Sequence, residues 1–182
     1  MTSIDQQSTT AAAWWRNLQP NLRNGDPNPH ADRAALARLR RADLLGAMQE
    51  RATFNLFRAL GRTHPNQLPE VALCAAVLAT VRDDDRRFHA ARQLGAPPGE
   101  SEDRAVMSPL RFRRLIQATS PEDRLILFRR AVALAGHAIN VRDLAAACLD
   151  WSDGRRQRWI FEYYAAGNAA PHPEPTPEEL PA

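Results

Sequence analysis

Two serine–proline pairs, Ser108-Pro109 and Ser120-Pro121, constrain the fold of this chain more than any other feature. A serine side chain can accept hydrogen bonds from the free N–H groups of a helix start. Proline suits the first helical position, because its missing N–H is not needed there. Asp123 follows Ser120 at a spacing close to that of a capping box. The pairs therefore predict two consecutive helices that meet at Thr119-Ser120.

Each of these two helices is predicted to carry an apolar stripe that faces the core and a set of arginines that does not. The stripes consist of Leu110, Leu115 and Ile116 in the first helix and of Leu125, Phe128 and Val132 in the second. The arginines are Arg111, Arg113 and Arg114, followed by Arg129 and Arg130. The core-forming residues would thus hold a group of guanidinium groups in place.

The rest of the chain has the same helical character. Apolar residues recur at helical spacing, and no alternating run is long enough to predict a strand. A length of 182 residues suffices for one domain with a real core. The sequence predicts an all-α fold, a compact helical domain of about eight or nine helices. Residues 1–10 are expected to form a flexible N-terminus, and residues 168–182 a disordered, acidic, proline-rich tail.

Some residues are predicted to lie in the core. The helix expected from about Leu68 to Arg82 is apolar almost all round, which indicates the most buried helix. Cys74 and Cys148 lie in apolar helical runs, so we expect buried free thiols in a reduced, cytoplasmic setting. Trp14 and Trp15 cannot point the same way on one helix. Either the domain covers both, or one of them lies at a partner surface.

The charge of the chain is carried by arginine alone, since none of the 24 basic residues is lysine. A GC-rich coding bias is one explanation for the absence of lysine. The distribution of charge along the chain suggests a second explanation. Residues 33–158 hold 22 arginines against 14 acidic residues, whereas both flanks are acidic. A basic body is typical of a protein that binds a polyanion, and arginine pairs bidentately with phosphate. Arg155, Arg156 and Arg158 near a helix start oppose the helix dipole, which favours an anionic partner.

No residue pattern indicates catalysis, a cofactor or a metal. The five histidines are scattered, and no glycine-rich phosphate loop or nucleophile elbow is present. Asp83-Asp84-Asp85 is predicted to be a solvated loop or a helix-start charge. The longest apolar run, Val71 to Val81, is about half of a membrane span, so no membrane partner is expected.

A helix-turn-helix DNA-binding regulator is the main alternative function. Residues 125–149 have the outline of that motif: a helix, a glycine-containing turn and a second helix. The second helix offers Asn140, Arg142, Asp143 and Asp150, which is a weak set for reading bases. The arginines on neighbouring helices favour contact with backbone phosphates instead. A helical protein–protein scaffold is a further alternative.

Several segments, taken in order, resemble the CasB family, the small subunit of the type I-E CRISPR surveillance complex Cascade. They are Leu-Arg-Phe-Arg-Arg-Leu-Ile-Gln-Ala (110–118), Leu-Phe-Arg-Arg-Ala (127–131), Ile-Asn-Val-Arg-Asp-Leu-Ala (139–145) and Asp-Trp-Ser-Asp-Gly-Arg-Arg-Gln-Arg-Trp (150–159), closing on Tyr163-Tyr164. Trp14-Trp15 and Leu39-Arg40-Arg41-Ala42 are similar too. The resemblance covers most of residues 11–166, except 83–107, and the acidic tail departs from the family pattern.

The resemblance implies a non-catalytic, cytoplasmic subunit that acts in antiviral defence. Two small helical subdomains are expected, at residues 11–104 and 105–167. The implied partners are CRISPR RNA, target DNA, other Cascade subunits and a second copy of the chain. A basic surface would hold the guide RNA–target DNA hybrid and the displaced strand, and so stabilise the R-loop without reading sequence.

The matched motifs also imply which arginines contact phosphate. These are Arg41, Arg111, Arg114, Arg130, Arg155 and Arg156, and then, less directly, Arg40, Arg113, Arg129 and Arg158. The second group is set apart because neighbouring residues on a helix cannot all face one groove.

Overall fold

The computed structural model describes residues 3–21 and 25–165, and this part of the chain is predominantly helical, as predicted. The helices are α1 (Ile4–Leu18), α2 (Arg33–Arg41), α3 (Leu44–Gln49), α4 (Arg51–Ala59), α5 (Leu68–Leu78), α6 (Ala90–Leu94), α7 (Pro109–Gln117), α8 (Pro121–Leu134), α9 (Val141–Leu149) and α10 (Asp153–Ala165). The count in the described residues exceeds the prediction, because the short helix α3 was not foreseen. The predicted tail at 168–182 lies outside the described residues.

Two short strands and two 3-10 turns complete the described elements. Strands β1 (Asp83–Asp84) and β2 (Ala138–Ile139) pair in parallel. The 3-10 turns span Pro65–Gln67 and Glu102–Arg104. None of the helices in residues 3–21 and 25–165 is long and apolar enough to cross a membrane.

Helix α5 forms the centre of the core. Every residue from Val71 to Leu78 is fully buried, which confirms the prediction that this helix is the most buried one. Helices α3, α4, α8 and α9 pack around it. Cys74 on α5 and Cys148 on α9 are buried free thiols, as expected. Burial raises the pKa of the Cys148 thiol, which keeps that group protonated and unreactive.

The domain covers both tryptophans of α1. Trp15 is buried, and its indole N–H donates to the carbonyl of Val81 at 3.4 Å. Trp14 is partly buried, packs against the core, and donates to the carbonyl of Ala52 at 3.0 Å. Of the two sequence interpretations, the structure therefore favours the one in which neither tryptophan is left for a partner.

Helix α1 begins at Ile4, inside the stretch of residues 1–10 that was predicted to be flexible. Ser3 provides the cap, since its side-chain oxygen accepts a hydrogen bond from the N–H of Gln6 at 3.3 Å. Residues 4–10 of the predicted flexible N-terminus are therefore helical.

The two serine–proline starts are present, but they differ in detail. Ser120 Oγ accepts a hydrogen bond from the N–H of Asp123 at 3.1 Å, whereas Ser108 makes no side-chain cap. Pro109 and Pro121 occupy the first positions of α7 and α8, as predicted. At the end of α8, Gly136 adopts φ +66°, as expected of a glycine that terminates a helix.

The predicted apolar stripe is right for α8 and partly wrong for α7. Leu125, Phe128 and Val132 are buried in α8. In α7 the buried residues are Phe112 and Leu115, while Leu110 is 58% exposed. The cause lies on another helix: the ring of Phe112 stacks on Tyr163 of α10 at 3.8 Å, which turns that face of α7 inward.

Two of the three carboxylates at residues 83–85, those of Asp84 and Asp85, make structural contacts. Asp84 Oδ1 accepts a hydrogen bond from the N–H of Val141 at 3.0 Å and thereby supports the start of α9. A hydrogen bond from Arg87 Nη2, at 2.7 Å, lowers the pKa of Asp85 to about 2. Within the described residues no group of three or more His, Cys, Asp or Glu side chains is placed to hold a metal ion.

The division into subdomains at residues 104/105 stays a prediction. Helices from both sides of that boundary contribute to one hydrophobic cluster, and α5 packs against α8 and α9.

Tyr163 provides a test of how α10 is anchored. Its hydroxyl donates to the carbonyl of Met107 at 2.6 Å in a buried position. We expect Tyr163→Phe to lower the free energy of unfolding by about 1 kcal/mol, because a buried carbonyl loses its partner. Tyr164→Phe, at a residue that is 41% exposed, should change it by less than about 0.5 kcal/mol. Urea denaturation measures both, and equal effects would contradict the assignment.

The phenol of Tyr163 also makes the free energy of unfolding depend on pH. Burial, followed by the charges of neighbouring groups, raises the pKa of Tyr163 to about 12, against about 10 in the unfolded chain. Its contribution to stability is therefore complete below pH 10 and is lost as the pH rises from about 10 towards about 12. Tyr163→Phe should lack this part of the alkaline decline in urea denaturation.

Candidate nucleic-acid interface

Three predicted arginines line one groove between α7 and α8. Arg111 and Arg114 extend from α7, Arg130 extends from α8, and all three are exposed. The groove encloses about 340 Å³. Its apolar lining consists of Met107, Leu127, Ala133 and Leu134. We call these seven residues the arginine groove.

The helix pattern explains why these arginines converge. Phe112 and Leu115 fix the inner face of α7, so Arg111 and Arg114, three residues apart, share another face. Phe128 and Val132 fix the inner face of α8, which leaves Arg130 on the side of the groove.

The arginine groove carries uncompensated positive charge. None of its lining residues is acidic. Within the described part of the chain, no ion pair or hydrogen bond engages the side chains of Arg111, Arg114 or Arg130. Because their charges are exposed and unpaired, the guanidinium groups can donate bidentate hydrogen bonds to phosphate.

Arg40 and Arg129 are instead bound to helix ends. Arg40 Nε donates to the carbonyl of Ala79, just beyond α5, at 2.6 Å. Arg129 Nη2 donates to the carbonyl of Leu39 in the last turn of α2, also at 2.6 Å. Burial lowers the pKa of both side chains, and for Arg40 the charge of Arg82 adds to the effect. These two predicted site residues thus make structural contacts between helices.

The arginines of α10 are less free than the sequence suggested. Arg156 pairs with Asp153, and Arg158 Nη2 lies 3.0 Å from His89 Nδ1 and 3.7 Å from Asp143 Oδ1. Arg156 and Arg158 therefore have partners within the described fold, although their position near a helix start favours an anionic partner. Arg155 is partly buried and has no ion pair among the described residues.

Arg41 and Arg113 are exposed outside the arginine groove. Arg41 ends α2, and Arg113 lies on a face of α7 different from that of Arg111 and Arg114. The structure leaves both side chains accessible.

A second basic groove was not predicted from the sequence. Arg16, Arg40 and Arg82 line it together with Asp83 and Asp84, and it encloses about 570 Å³. Its arginines come from three separate segments, so no sequence spacing signals it. The two carboxylates make it a mixed-charge site, less suited to a polyanion than the arginine groove.

Two comparisons with known proteins bear on this fold. Residues 35–164 match the model of a protein family described as CRISPR-associated protein Cse2. The chain belongs to the Cse2 family. This confirms the resemblance to CasB, which is the same family. A search of curated proteins found no match.

The fold of this Cse2 family member resembles a chain in a solved structure. That structure is E. coli Cascade bound to a PAM-containing double-stranded DNA target with a 32-nucleotide spacer. The two chains are 17% identical with a TM-score of 0.58, and the match covers 88% of this chain and 95% of the other. At this identity the match establishes a shared fold.

The packing of α9 argues against a helix-turn-helix reader in this Cse2 family member. Every residue of α9 except Arg142 is buried, because α1 and α5 pack against the helix. A recognition helix must present several side chains to the major groove. Helix α9 has no exposed face of that size.

The adjacent residues Arg129 and Arg130 test whether some arginines stabilise the fold while their neighbours do not. Arg129→Met should lower the free energy of unfolding by about 1.5–3 kcal/mol, because the carbonyl of Leu39 loses a charged donor. Arg130→Met should change it by less than about 0.5 kcal/mol. Urea denaturation of the two variants makes the comparison, and similar losses would contradict the division.

Proposed function

We propose that this chain is a non-catalytic, nucleic-acid-binding subunit of a cytoplasmic Cascade complex that acts in antiviral defence. Its arginine groove holds backbone phosphates of the guide RNA–target DNA hybrid and of the displaced strand. Other Cascade subunits and a second copy of the chain are its protein partners. Membership of the Cse2 family and the fold shared with a Cascade chain support the proposal that the chain is a Cascade subunit.

The observation that carries the proposal is the set of unpaired guanidinium groups in the arginine groove. Arg111, Arg114 and Arg130 converge from two helices and face no carboxylate there. Phosphate contacts position a nucleic acid without reading its sequence. In an RNA-guided complex base pairing supplies the specificity, so the protein needs contacts of this kind.

Other exposed arginines extend the proposed surface. We include Arg41, Arg113 and Arg155 as peripheral phosphate contacts. To contact phosphate, Arg156 would have to break its pair with Asp153, and Arg158 its contacts with His89 and Asp143. We therefore expect these two arginines to contribute less to the binding of nucleic acid. Arg40 and Arg129 act by holding helices together.

We expect the R111A/R114A/R130A variant to bind nucleic acid about tenfold more weakly, or worse, because three phosphate contacts are lost. The loss should be similar for DNA duplex, single strand and RNA–DNA hybrid. Fluorescence anisotropy with labelled 20-mers at fixed ionic strength measures it. Circular dichroism verifies that the variant is folded.

The matched control is R33A/R51A/R58A, which removes the same charge from exposed residues outside the groove. Its affinity should stay close to that of wild type. Equal losses in the two variants would mean that general charge, and not this groove, binds nucleic acid. Tight sequence-selective binding would favour a regulator, and no binding by wild type would favour a protein–protein scaffold.

A further inference from the structure

The last described helix, α10, contacts a residue of the arginine groove near its C-terminal end. The last described residue of α10 is Ala165, two positions after Tyr163. The hydroxyl of Tyr163 donates to the carbonyl of Met107 at 2.6 Å, and Met107 is part of the groove lining. The ring of Tyr163 also stacks on Phe112 of α7 at 3.8 Å. The segment that follows Ala165 therefore starts next to α7.

That segment has a charge opposite to that of the groove. Residues 166–182 contain three glutamates and no arginine. The glutamates are Glu174, Glu178 and Glu179, and Leu180 follows them. Among the described residues, the groove offers three guanidinium groups without an ion pair, together with an apolar lining. The glutamates are complementary in charge to the guanidinium groups, and the leucine is complementary to the apolar lining.

The surroundings of Tyr164 favour one direction for the segment. Tyr163 and Tyr164 border a small cavity that Glu100 and Glu102 also line. Like charges there repel an acidic segment, while the arginine groove attracts it.

The segment is long enough to reach the groove. Glu174 lies nine positions after Ala165, and a proline-rich chain extends by about 3.1 Å per residue. Its reach of about 28 Å exceeds the diameter of an α-helix with its side chains, which is about 10–12 Å. An extended chain of this length is therefore long enough to pass α7 and reach the groove arginines.

We propose that residues 166–182 dock as an acidic strap in the arginine groove of the same chain and compete there with nucleic-acid phosphates. Docking itself depends only on the groove and the strap. The competition rests on the proposed function.

Paramagnetic broadening tests the docking directly. A nitroxide is attached to Thr176→Cys in the full chain, where Cys74 and Cys148 are buried and do not react. We expect selective broadening of the side-chain Nε–H signals of Arg111, Arg114 and Arg130. The signals of Arg33, Arg51 and Arg58 should be unaffected, and E174Q/E178Q/E179Q should abolish the selective effect. Uniform broadening would overturn the proposal.

Nucleic-acid affinity tests the competition. E174Q/E178Q/E179Q should bind a labelled single-stranded 20-mer about three- to tenfold more tightly at low salt, because the competitor has lost its charge. The gain should vanish as ionic strength approaches about 1 M. It should also be absent in a background of R111A/R114A/R130A.

A matched control separates docking from net charge. D5N/D103N/E122Q removes three exposed acidic charges outside the strap and outside both basic grooves. An equal gain in this control would contradict the strap.

The two proposals fail in different ways. If broadening is selective but wild type and the strap variant bind no nucleic acid, the docking stands and the proposed function is wrong. If nucleic acid binds through the groove arginines while the strap variant changes neither broadening nor affinity, the strap is wrong and the function stands.

Discussion

The complete burial of α5 is the constraint on which the rest of the structure depends. A helix that is apolar on every side must be enclosed, and α3, α4, α8 and α9 enclose it. The buried guanidinium of Arg124 on α8 pairs with Glu70 in the first turn of α5 at 2.6 Å. Leaving the buried Arg124 charge without its partner would be costly, so this pair fixes the rotation of α8. That rotation places Arg130 on the groove side.

The arginines of this chain divide into two physical classes. Arg40 and Arg129 lose part of their hydration and are retained because carbonyls at helix C-termini accept their hydrogen bonds. Arg111, Arg114 and Arg130 keep their hydration and have no partner among the described residues. The first class holds the helices in register, and the second provides the charge that the proposed function needs. One residue type thus serves both the fold and the site.

Local patterns predicted what short-range interactions determine. The serine–proline pairs gave the starts of α7 and α8, and the spacing of Arg111 and Arg114 placed them on one face. Contacts between distant segments could not be predicted in this way. Arg129 and Arg130 are neighbours on one helix, but the carbonyl that engages only Arg129 lies 90 residues away, so no local pattern predicts this hydrogen bond. Leu110 was misplaced for the same reason, since Phe112 turns inward towards a ring on α10.

The salt dependence of binding tests the central claim most directly, because it counts the phosphates that the groove neutralises. The logarithm of the dissociation constant for a DNA duplex is measured against the logarithm of salt concentration. Each phosphate contact contributes about 0.9 to the slope, so R111A/R114A/R130A should lower its magnitude by about 2 to 3. R33A/R51A/R58A should leave the slope unchanged. Equal slopes for wild type and the groove variant would contradict the account.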